Sequence, residues 1–475
     1  MRPPRRIASA LAVAATALGV TTDGFPTTHQ LYPRETIGDT AVTVTFRATS
    51  ASASVSSLTL KIDGTATPES PVSIRPQQTV AMTASVPVGL KASTFELTAN
   101  TSSGQHVVVA AADDVVAGDV FVVTGQSNAL AEKHPEEFDL VQHDAASPWI
   151  RTVGGMLYKA PSDPANHAWQ IAKGGPFDGS TLGTVGEWAL RMARDVVDSQ
   201  HVPIAVLNGA KGGLAISGLL PRTDGGIGNF ERLMGRLDAQ GLAPSVRAVF
   251  LSQGEADIHD QDPSLWHGRF DTLRSAWIAA FPKLAHVYVT QIRGCNEVSG
   301  TNAIREVQRQ LATTSGGTAG NPDIQVMSTT GMTGFDGGCH FYYAGYQQLG
   351  HWYADLLSHD VYGVDGVANI GAPAVATIAR ANDDLLLTLA NAGDAVTADS
   401  GSRVDFFVTT TKGAILHPTA ISATSTNGVI RLTLPKGSPA VKAVSFRGQS
   451  GPKGHPWITN AHGIGLLAFE AVAVQ

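Results

Sequence analysis

Between Val120 and Leu357 the chain alternates short apolar runs with longer amphipathic stretches. The apolar runs have the length and composition of buried strands: Val120–Thr124, Pro203–Leu207, Val246–Leu251, Ala285–Ile292 and Ile324–Ser328. The amphipathic stretches have the period of helices: Trp188–Val197, Phe230–Leu237, Leu265–Ala280, Ala303–Leu311 and Tyr346–Leu357. Strands and helices that alternate in this way predict a five-stranded parallel sheet with helices on both faces, an α/β fold of three layers.

The segments that flank this region have the short strands and frequent turns of all-β modules. Strand-like runs include Thr43–Phe46 and Ser57–Ile62 on one side and Leu385–Leu389 and Val429–Leu434 on the other. A chain of 475 residues is too long for one hydrophobic core, and its 50 glycines and 25 prolines suit turn-rich modules. We therefore predict β-sandwich-like modules at residues 24–117 and 364–475, around a central domain at residues 118–363.

The first residues have the layout of a secretory signal peptide. Arg2, Arg5 and Arg6 precede the apolar stretch Ile7–Val20, and Ala15–Ala17 offers small residues for cleavage. We predict a signal peptide at residues 1–23 and a secreted or periplasmic protein, with twin-arginine export as an alternative route. The net charge of −7 favours neither nucleic acid nor, after removal of the signal, a membrane surface as a partner.

The chain has two cysteines, Cys295 and Cys339, each just after a predicted strand at the same side of the sheet. In an exported protein such a pair favours a disulfide over two separate buried thiols. Neither cysteine has the Cys/His spacing of a zinc site, so we predict no metal.

Four polar, glycine-rich loops lie at the edge where the predicted strands have their carboxyl ends, the edge at which open α/β sheets bind ligands. These loops are Gly125–Asn128, Asn208–Gly213, Ser252–Asp257 and Asp336–His340. Acyl transfer needs a hydroxyl nucleophile, an imidazole base, a group that orients the base, and donors for the oxyanion. The four loops together offer a candidate for each role.

The candidate nucleophile is Ser127, the base is His340, and Asp336 is the group that orients the base. The predicted oxyanion donors are Ser127 itself, Gly212, Gly213 and the side-chain amide of Gln253. Supporting roles are expected for Glu255, Asp257 and Asn128, the last of these as a helix cap.

These residues resemble the SGNH (GDSL-type) hydrolases, in the branch of sialate O-acetylesterase-like carbohydrate esterases. The Gly-Gln-Ser-Asn motif of that branch is matched by Gly125–Asn128, and its Gln-Gly-Glu-x-Asp motif by Gln253–Asp257. Its Gly-Gly loop is matched by Gly212–Gly213, although Leu214 stands where a small hydroxyl residue is usual. The resemblance covers roughly residues 115–360 and implies a flavodoxin-like SGNH domain.

One departure from the family concerns the group that orients His340. The family places an aspartate three residues before the histidine, where this chain has Gly337, and Asp336 lies one residue earlier. A glycine-rich loop bends readily, so Asp336 remains the first candidate. A backbone carbonyl or another carboxylate such as Glu255 is the alternative.

The resemblance implies a serine esterase that removes O-acetyl groups from carbohydrates through an acyl-enzyme and without a cofactor. The alternatives are another SGNH esterase or lipase-like activity, and a non-catalytic carbohydrate-binding protein derived from an esterase. Trp169, Trp188 and Trp266 are candidates for stacking on sugars, although core packing is the simpler interpretation.

Overall fold

The computed structural model describes residues 15–132, 137, 147–155, 164–175, 182–260, 262–293, 300–312, 322–332, 338–366, 368–390, 395–424, 428–448 and 457–475. The helices of these residues are α1 (Ser127–Leu130), α2 (Glu187–Gln200), α3 (Asn229–Asp238), α4 (Ser264–Ala280), α5 (Gly300–Gln310) and α6 (Tyr343–Asp360).

The amino-terminal strands are β1 (Val20–Asp23), β2 (Leu31–Pro33), β3 (Ala41–Ser50), β4 (Val55–Ile62), β5 (Thr65–Ala66), β6 (Val72–Ser73), β7 (Thr79–Pro87), β8 (Ser93–Thr101) and β9 (His106–Gly125). The central strands are β10 (Ile150–Val153), β11 (Trp169–Ile171), β12 (Ile204–Asn208), β13 (Val246–Ser252), β14 (His286–Thr290) and β15 (Asp323–Met327). The remaining strands are β16 (Val375–Ala381), β17 (Asp384–Leu389), β18 (Val396–Ala398), β19 (Phe406–Thr410), β20 (Ile415–Leu416), β21 (Ala420–Thr424), β22 (Val429–Thr433), β23 (Val441–Phe446), β24 (Ile458–Asn460) and β25 (Phe469–Ala473).

The central sheet contains every strand predicted for it, in the order β12-β9-β13-β14-β15, and these neighbours are parallel. The order of the strands along the chain reverses at β9. The crevice outside the carboxyl ends of β9 and β13 is therefore the expected ligand site of such a sheet.

The prediction of a five-stranded parallel sheet is too simple, because the sheet is larger and mixed. Strand β10 adds in parallel beyond β12, and β11 pairs with β10 in antiparallel fashion. Both strands are short and carry polar residues such as Arg151 and Gln170, so they give no apolar run in the sequence. Strand β9 also continues backwards into the amino-terminal module, where β8 is its antiparallel neighbour.

Helices cover both faces of the central sheet, as the alternating pattern predicts. Phe121 and Val123 of β9 pack in one core with helices α2 and α6. Val120 and Val122 point to the other face, whose core includes residues of α3, α4 and α5. Successive residues of a strand point to opposite faces, so a strand buried on both sides is continuously apolar.

The amino-terminal module has its own apolar core, and its first strand begins before the predicted boundary. Strand β1 pairs with β3 from Val20 onwards, and Val20 is 5% exposed. The module therefore includes residues that the sequence assigns to the signal peptide. Cleavage after Ala17 would leave β1 intact.

The carboxyl-terminal module also has a separate core, and it packs against the central domain near the carboxyl edge of the sheet. The side chain of Gln291, just after β14, accepts from the Ala468 N–H and donates to the Ala468 carbonyl, both at 2.9 Å. Gly465 lies so close to the main chain after β15 that a Cβ there would be 2.0 Å from the carbonyl oxygen of Thr330. None of the helices in the described ranges is long and apolar enough to cross a membrane.

Candidate active site

Ser127 lies in the turn after β9, at the carboxyl edge of the sheet. Gly125 has a φ of +136°, and a Cβ there would lie 2.0 Å from the carbonyl oxygen of Ser252. Glycine is required, because a side chain tolerates neither this φ nor this approach of two backbones. The Gln126 N–H donates to the same Ser252 carbonyl at 2.9 Å, which holds the turn against β13. Ser127 is left half-buried at the first position of helix α1.

The structure brings Ser127 and His340 together. His340 Nε2 and Ser127 Oγ lie 2.9 Å apart, and the imidazole is exposed to solvent. The next residue, Phe341, is 2% exposed and packs edge-on against the ring of Tyr346. This anchor fixes the main chain directly after His340. A hydroxyl bonded to an imidazole nitrogen can transfer its proton to that nitrogen, which is how a serine becomes a nucleophile.

Asn128 joins three of the predicted loops rather than capping a helix. Its Nδ2 donates to Glu255 Oε1 at 2.6 Å and to the carbonyl oxygen of Cys339 at 3.0 Å. The Tyr346 hydroxyl donates to Asn128 Oδ1 at 3.1 Å. The cap expected from the sequence is absent, since helix α1 has no side-chain cap hydrogen bond. Asn128 instead connects the serine turn to the residue before His340.

Glu255 is a buried carboxyl group beneath the site. Its side chain is bonded to Asn128 through Oε1, and Oε2 has no hydrogen-bond partner among the described residues. Burial raises the pKa of Glu255 to about 7, because a charged carboxylate loses its hydration there; the Asn128 hydrogen bond lowers the pKa by less.

The Gly-Gly loop lies beside the serine turn. The Lys211 N–H donates to the Gly125 carbonyl at 3.1 Å, and a Cβ on Gly212 would lie 3.6 Å from Leu130 of helix α1. Gly213 has a φ of +67° and open space around its α-carbon. The structure therefore places the Gly-Gly loop, which follows the adjacent strand β12, beside the serine turn.

Gln253 is predicted to donate its side-chain amide to the oxyanion, but the structure buries this side chain completely. Its Nε2 donates to Asp257 Oδ2 and, at 3.3 Å each, to the Leu214 carbonyl and Gln126 Oε1. Its Oε1 accepts from Trp266 Nε1 at 2.7 Å. Both ends of the amide are engaged inside the protein, an arrangement that does not favour the oxyanion role predicted for Gln253.

Gln126 is a site residue that the sequence interpretation passed over. Its Oε1 also accepts from the N–H groups of Gly254 and Ala256, at 3.3 and 3.1 Å. Three donors on the oxygen fix which end of the amide is which, so Nε2 is the free end of this side chain. That nitrogen donates no hydrogen bond to any of the residues that the structure describes. In the sequence, the feature that could have pointed to Gln126 is its position next to Ser127.

Asp257 is a buried carboxyl group that is bonded to two of the loops. Its Oδ2 accepts from the Ile216 N–H at 3.0 Å as well as from Gln253, and Arg269 lies 3.7 Å from Oδ1. Burial raises the pKa of Asp257, and the hydrogen bond from Gln253 opposes this shift.

Two of the predicted site residues, Asp336 and Cys295, lie outside the described residues. The orientation of His340 by Asp336 and the disulfide between Cys295 and Cys339 therefore stay predictions.

The tryptophans named as candidates for sugar stacking are core residues. Trp188 and Trp266 are 0% exposed and Trp169 is 5% exposed. Trp188 Nε1 also donates to the Asn128 carbonyl at 2.8 Å, so this ring supports the serine turn from the core. Within the described ranges, no cluster of three or more His, Cys, Asp or Glu side chains could hold a metal ion.

The family model for carbohydrate esterases described as sialic acid-specific acetylesterases matches residues 117–359, just over half of the chain. The chain belongs to this carbohydrate esterase family. It is accordingly a carboxylic ester hydrolase of a family that acts on carbohydrate acetyl groups. The matched residues include all four loops at the carboxyl edge of the sheet. No curated protein sequence matches the chain.

One solved structure supports the fold over nearly the whole chain. XAC1771, a carbohydrate acetylesterase from Xanthomonas citri, is 16% identical, with 95% of this chain and 99% of that chain covered and a TM-score of 0.60. A protein from Arabidopsis thaliana is 17% identical over 51% of this chain and 99% of that one, with a TM-score of 0.41. NanS is 17% identical over 50% and 97%, with a TM-score of 0.36. The similarity to XAC1771 extends over the β modules as well as the catalytic domain, and at this identity it is a similarity of fold.

Proposed function

We propose that this esterase removes O-acetyl groups from sugars by a two-step mechanism with Ser127 as nucleophile and His340 as base. The observation that carries the proposal is the 2.9 Å hydrogen bond between Ser127 Oγ and His340 Nε2 at the carboxyl edge of the sheet. Membership of the carbohydrate esterase family supports the substrate class.

In the first step Ser127 Oγ attacks the acetyl carbonyl carbon while its proton moves to His340 Nε2. The tetrahedral intermediate collapses as the bond to the sugar oxygen breaks, and His340 gives its proton to that oxygen. In the second step water attacks the acetyl-serine and gives a proton to His340. The bond between the acetyl carbon and Ser127 Oγ then breaks, His340 returns its proton to Ser127 Oγ, and acetic acid leaves and loses its own proton to the solvent.

The negative oxygen of each intermediate needs donors fixed in advance. The Ser127 N–H is suited to this role, because it lies at the first position of α1 and donates no hydrogen bond within the described residues. Gly212 and Gly213 supply the neighbouring backbone donors. For the side-chain donor we favour Gln126 over Gln253, because the amide of Gln253 is occupied by internal acceptors. Removal of one such donor costs about 3 kcal/mol of transition-state stabilisation.

Asp336 is proposed to orient His340. If it does, Asp336→Asn lowers kcat by about 10⁴-fold, the effect of placing the wrong tautomer of the base beside the nucleophile. A rate within a few-fold of the wild type would point instead to a backbone carbonyl or another carboxylate.

Export is proposed from residues 1–23, whose arginines and apolar run have the signal-peptide layout. The disulfide between Cys295 and Cys339 belongs to the same proposal, because it requires an oxidising compartment. Amino-terminal sequencing and non-reducing peptide mapping of the protein from its culture medium or periplasm test both points. Retention in the cytoplasm with the first residues intact would refute export.

The experiment that tests the function measures acetate released from O-acetylated sialic acid, xylan and pectin and from a simple aryl acetate. The wild type is compared with Ser127→Ala, and Ser275→Ala serves as the matched control, since Ser275 is an exposed serine on α4. We expect release from at least one acetylated carbohydrate by the wild type and the control. Equal rates for the wild type and Ser127→Ala on every ester would refute the proposed mechanism.

A further inference from the structure

We propose that Glu255 is a positioning residue for His340 that acts through the side chain of Asn128. The inference rests on the proposed function, in which His340 is the base. The two residues come from different strands and loops, and the contact between them passes through one amide group.

The amide of Asn128 can adopt only one orientation. The carbonyl oxygen of Cys339 accepts and never donates, so Nδ2 must face it, at 3.0 Å. The same nitrogen donates its second hydrogen to Glu255 Oε1 at 2.6 Å. Both hydrogens of the amide are thus used, one on Glu255 and one on the residue that precedes His340. Asn128 is itself 3% exposed, so water does not compete for these hydrogens.

The Cys339 carbonyl belongs to the peptide group that leads directly into His340. Fixing this carbonyl fixes the main chain from which the imidazole extends, on the side opposite the Phe341 anchor. Glu255 holds the amide plane in place. Without this acceptor, Nδ2 keeps the Cys339 carbonyl and Oδ1 keeps the Tyr346 hydroxyl. The amide is then held by two hydrogen bonds instead of three, which weakens its hold on the Cys339 carbonyl.

Among the described residues, Asn128 is the one side chain that is hydrogen-bonded to the buried carboxyl group of Glu255. Its other oxygen, Oε2, has no partner among the described residues. A carboxylate in a structural ion pair would face a cation, and no described Lys or Arg pairs with Glu255. A buried acceptor whose described side-chain partner is Asn128 suits a positioning residue.

Ionisation of Glu255 makes the positioning dependent on pH. A charged acceptor binds an N–H roughly twice as strongly as a neutral one, so the link to Asn128 strengthens as Glu255 loses its proton. The charge that acts on Glu255 is that of Asp257 in the same turn, while Asn128 of α1 and Tyr346 of α6 are neutral. Burial places the pKa of Glu255 at about 7, so this change falls within the working range of an esterase.

The test compares Glu255→Ala and Glu255→Gln with the wild type, using an aryl acetate and one active carbohydrate ester. Glu255→Ala is expected to lower kcat by about tenfold or more, since small displacements of a catalytic group have effects of this size, while KM changes little. Glu255→Gln keeps an acceptor for Asn128, so it restores most of kcat. It also removes the ionisation near pH 7 that Glu255 adds to the pH profile of kcat. His259→Gln, an exposed change in the same loop, is the control.

The inference is overturned if Glu255→Ala keeps the wild-type kcat, if the loss lies in KM, or if Glu255→Gln is as impaired as Glu255→Ala. Should Glu255→Ala fail to fold, the pH profile of Glu255→Gln decides alone: a profile identical to the wild type refutes the inference. An inactive wild-type protein would refute the proposed function instead, so the two failures are distinguishable.

Discussion

Asn128 Nδ2 donates to the carbonyl oxygen of Cys339 at 3.0 Å, although the two residues are 211 positions apart in the chain. The serine turn and the histidine loop are therefore bonded to each other independently of the Ser127–His340 hydrogen bond. Asn128 therefore connects two distant loops of the site, which a helix cap would not do.

Asn128→Asp should impair both folding and catalysis. The substitution keeps the shape of the side chain but replaces two donor hydrogens with an acceptor, which then faces the Glu255 carboxyl and the Cys339 carbonyl. Leaving such buried acceptors unpaired costs about 2–4 kcal/mol of unfolding free energy. Urea unfolding and kcat measure the two effects. Wild-type values for both would show that the bridge has no role.

The stability of the wild type should fall as the pH rises from about 4.5 to about 7, relative to Glu255→Gln. The pKa of Glu255 is raised from 4.5 in the unfolded chain to about 7 in the folded protein, mainly by burial. In that interval the folded state binds more protons than the unfolded state, so unfolding becomes easier with increasing pH and the effect levels off above pH 7. The full difference is on the order of 3 kcal/mol. Denaturant titrations of both proteins at pH 5 and pH 8 test it, and a constant difference between them would contradict it.

Gly465→Ala should loosen the carboxyl-terminal module and lower kcat. A Cβ at Gly465 would lie 2.0 Å from the Thr330 carbonyl, so the module or the strand end must move. Thr330 precedes the segment that leads to His340, which is why we expect an effect on catalysis as well as on stability. Gly371→Ala is the matched control, since nothing lies within 4 Å of a Cβ there. Equal melting temperatures and kcat for the two variants would argue against a structural role of this contact.

Arg34→Leu should destabilise the protein without changing kcat. Arg34 reaches from the amino-terminal module to the buried Asp119 of β9, at 2.6 Å, far along the strand from Ser127. Removing one partner of a buried ion pair costs about 3–5 kcal/mol of unfolding free energy. Here Arg247 and Tyr362 remain bonded to Asp119, so we expect the lower end of this range.

The exposed pair Lys61–Glu96 in the same module provides the control. Lys61→Ala should cost less than about 1 kcal/mol.

The sequence predicted the strands whose burial on both faces leaves a continuous apolar run. Strands such as β9 are buried on both faces and so read as continuous apolar runs, and the loops after them could be placed at one edge from the order of strands and helices. Strand β10 was missed because Arg151 and Thr152 interrupt its apolar pattern.

The side-chain roles were harder to predict than the positions. Asn128 and Gln253 were placed correctly in their loops, but their partners come from residues far away in the chain. A short polar side chain offers the same groups to a helix end, an oxyanion or a buried carboxylate. Only the three-dimensional arrangement of acceptors decides among them, and local sequence does not contain it.

The central claim is that His340 activates Ser127 for attack on an acetyl ester. The most direct measurement is kcat/KM for an aryl acetate with the wild type, Ser127→Ala and His340→Ala, each verified as folded by its melting temperature. The account predicts that each substitution lowers kcat/KM by several orders of magnitude, and that the double substitution costs little more than either alone, because the two groups act as a unit. Activity of Ser127→Ala equal to that of the wild type would contradict it.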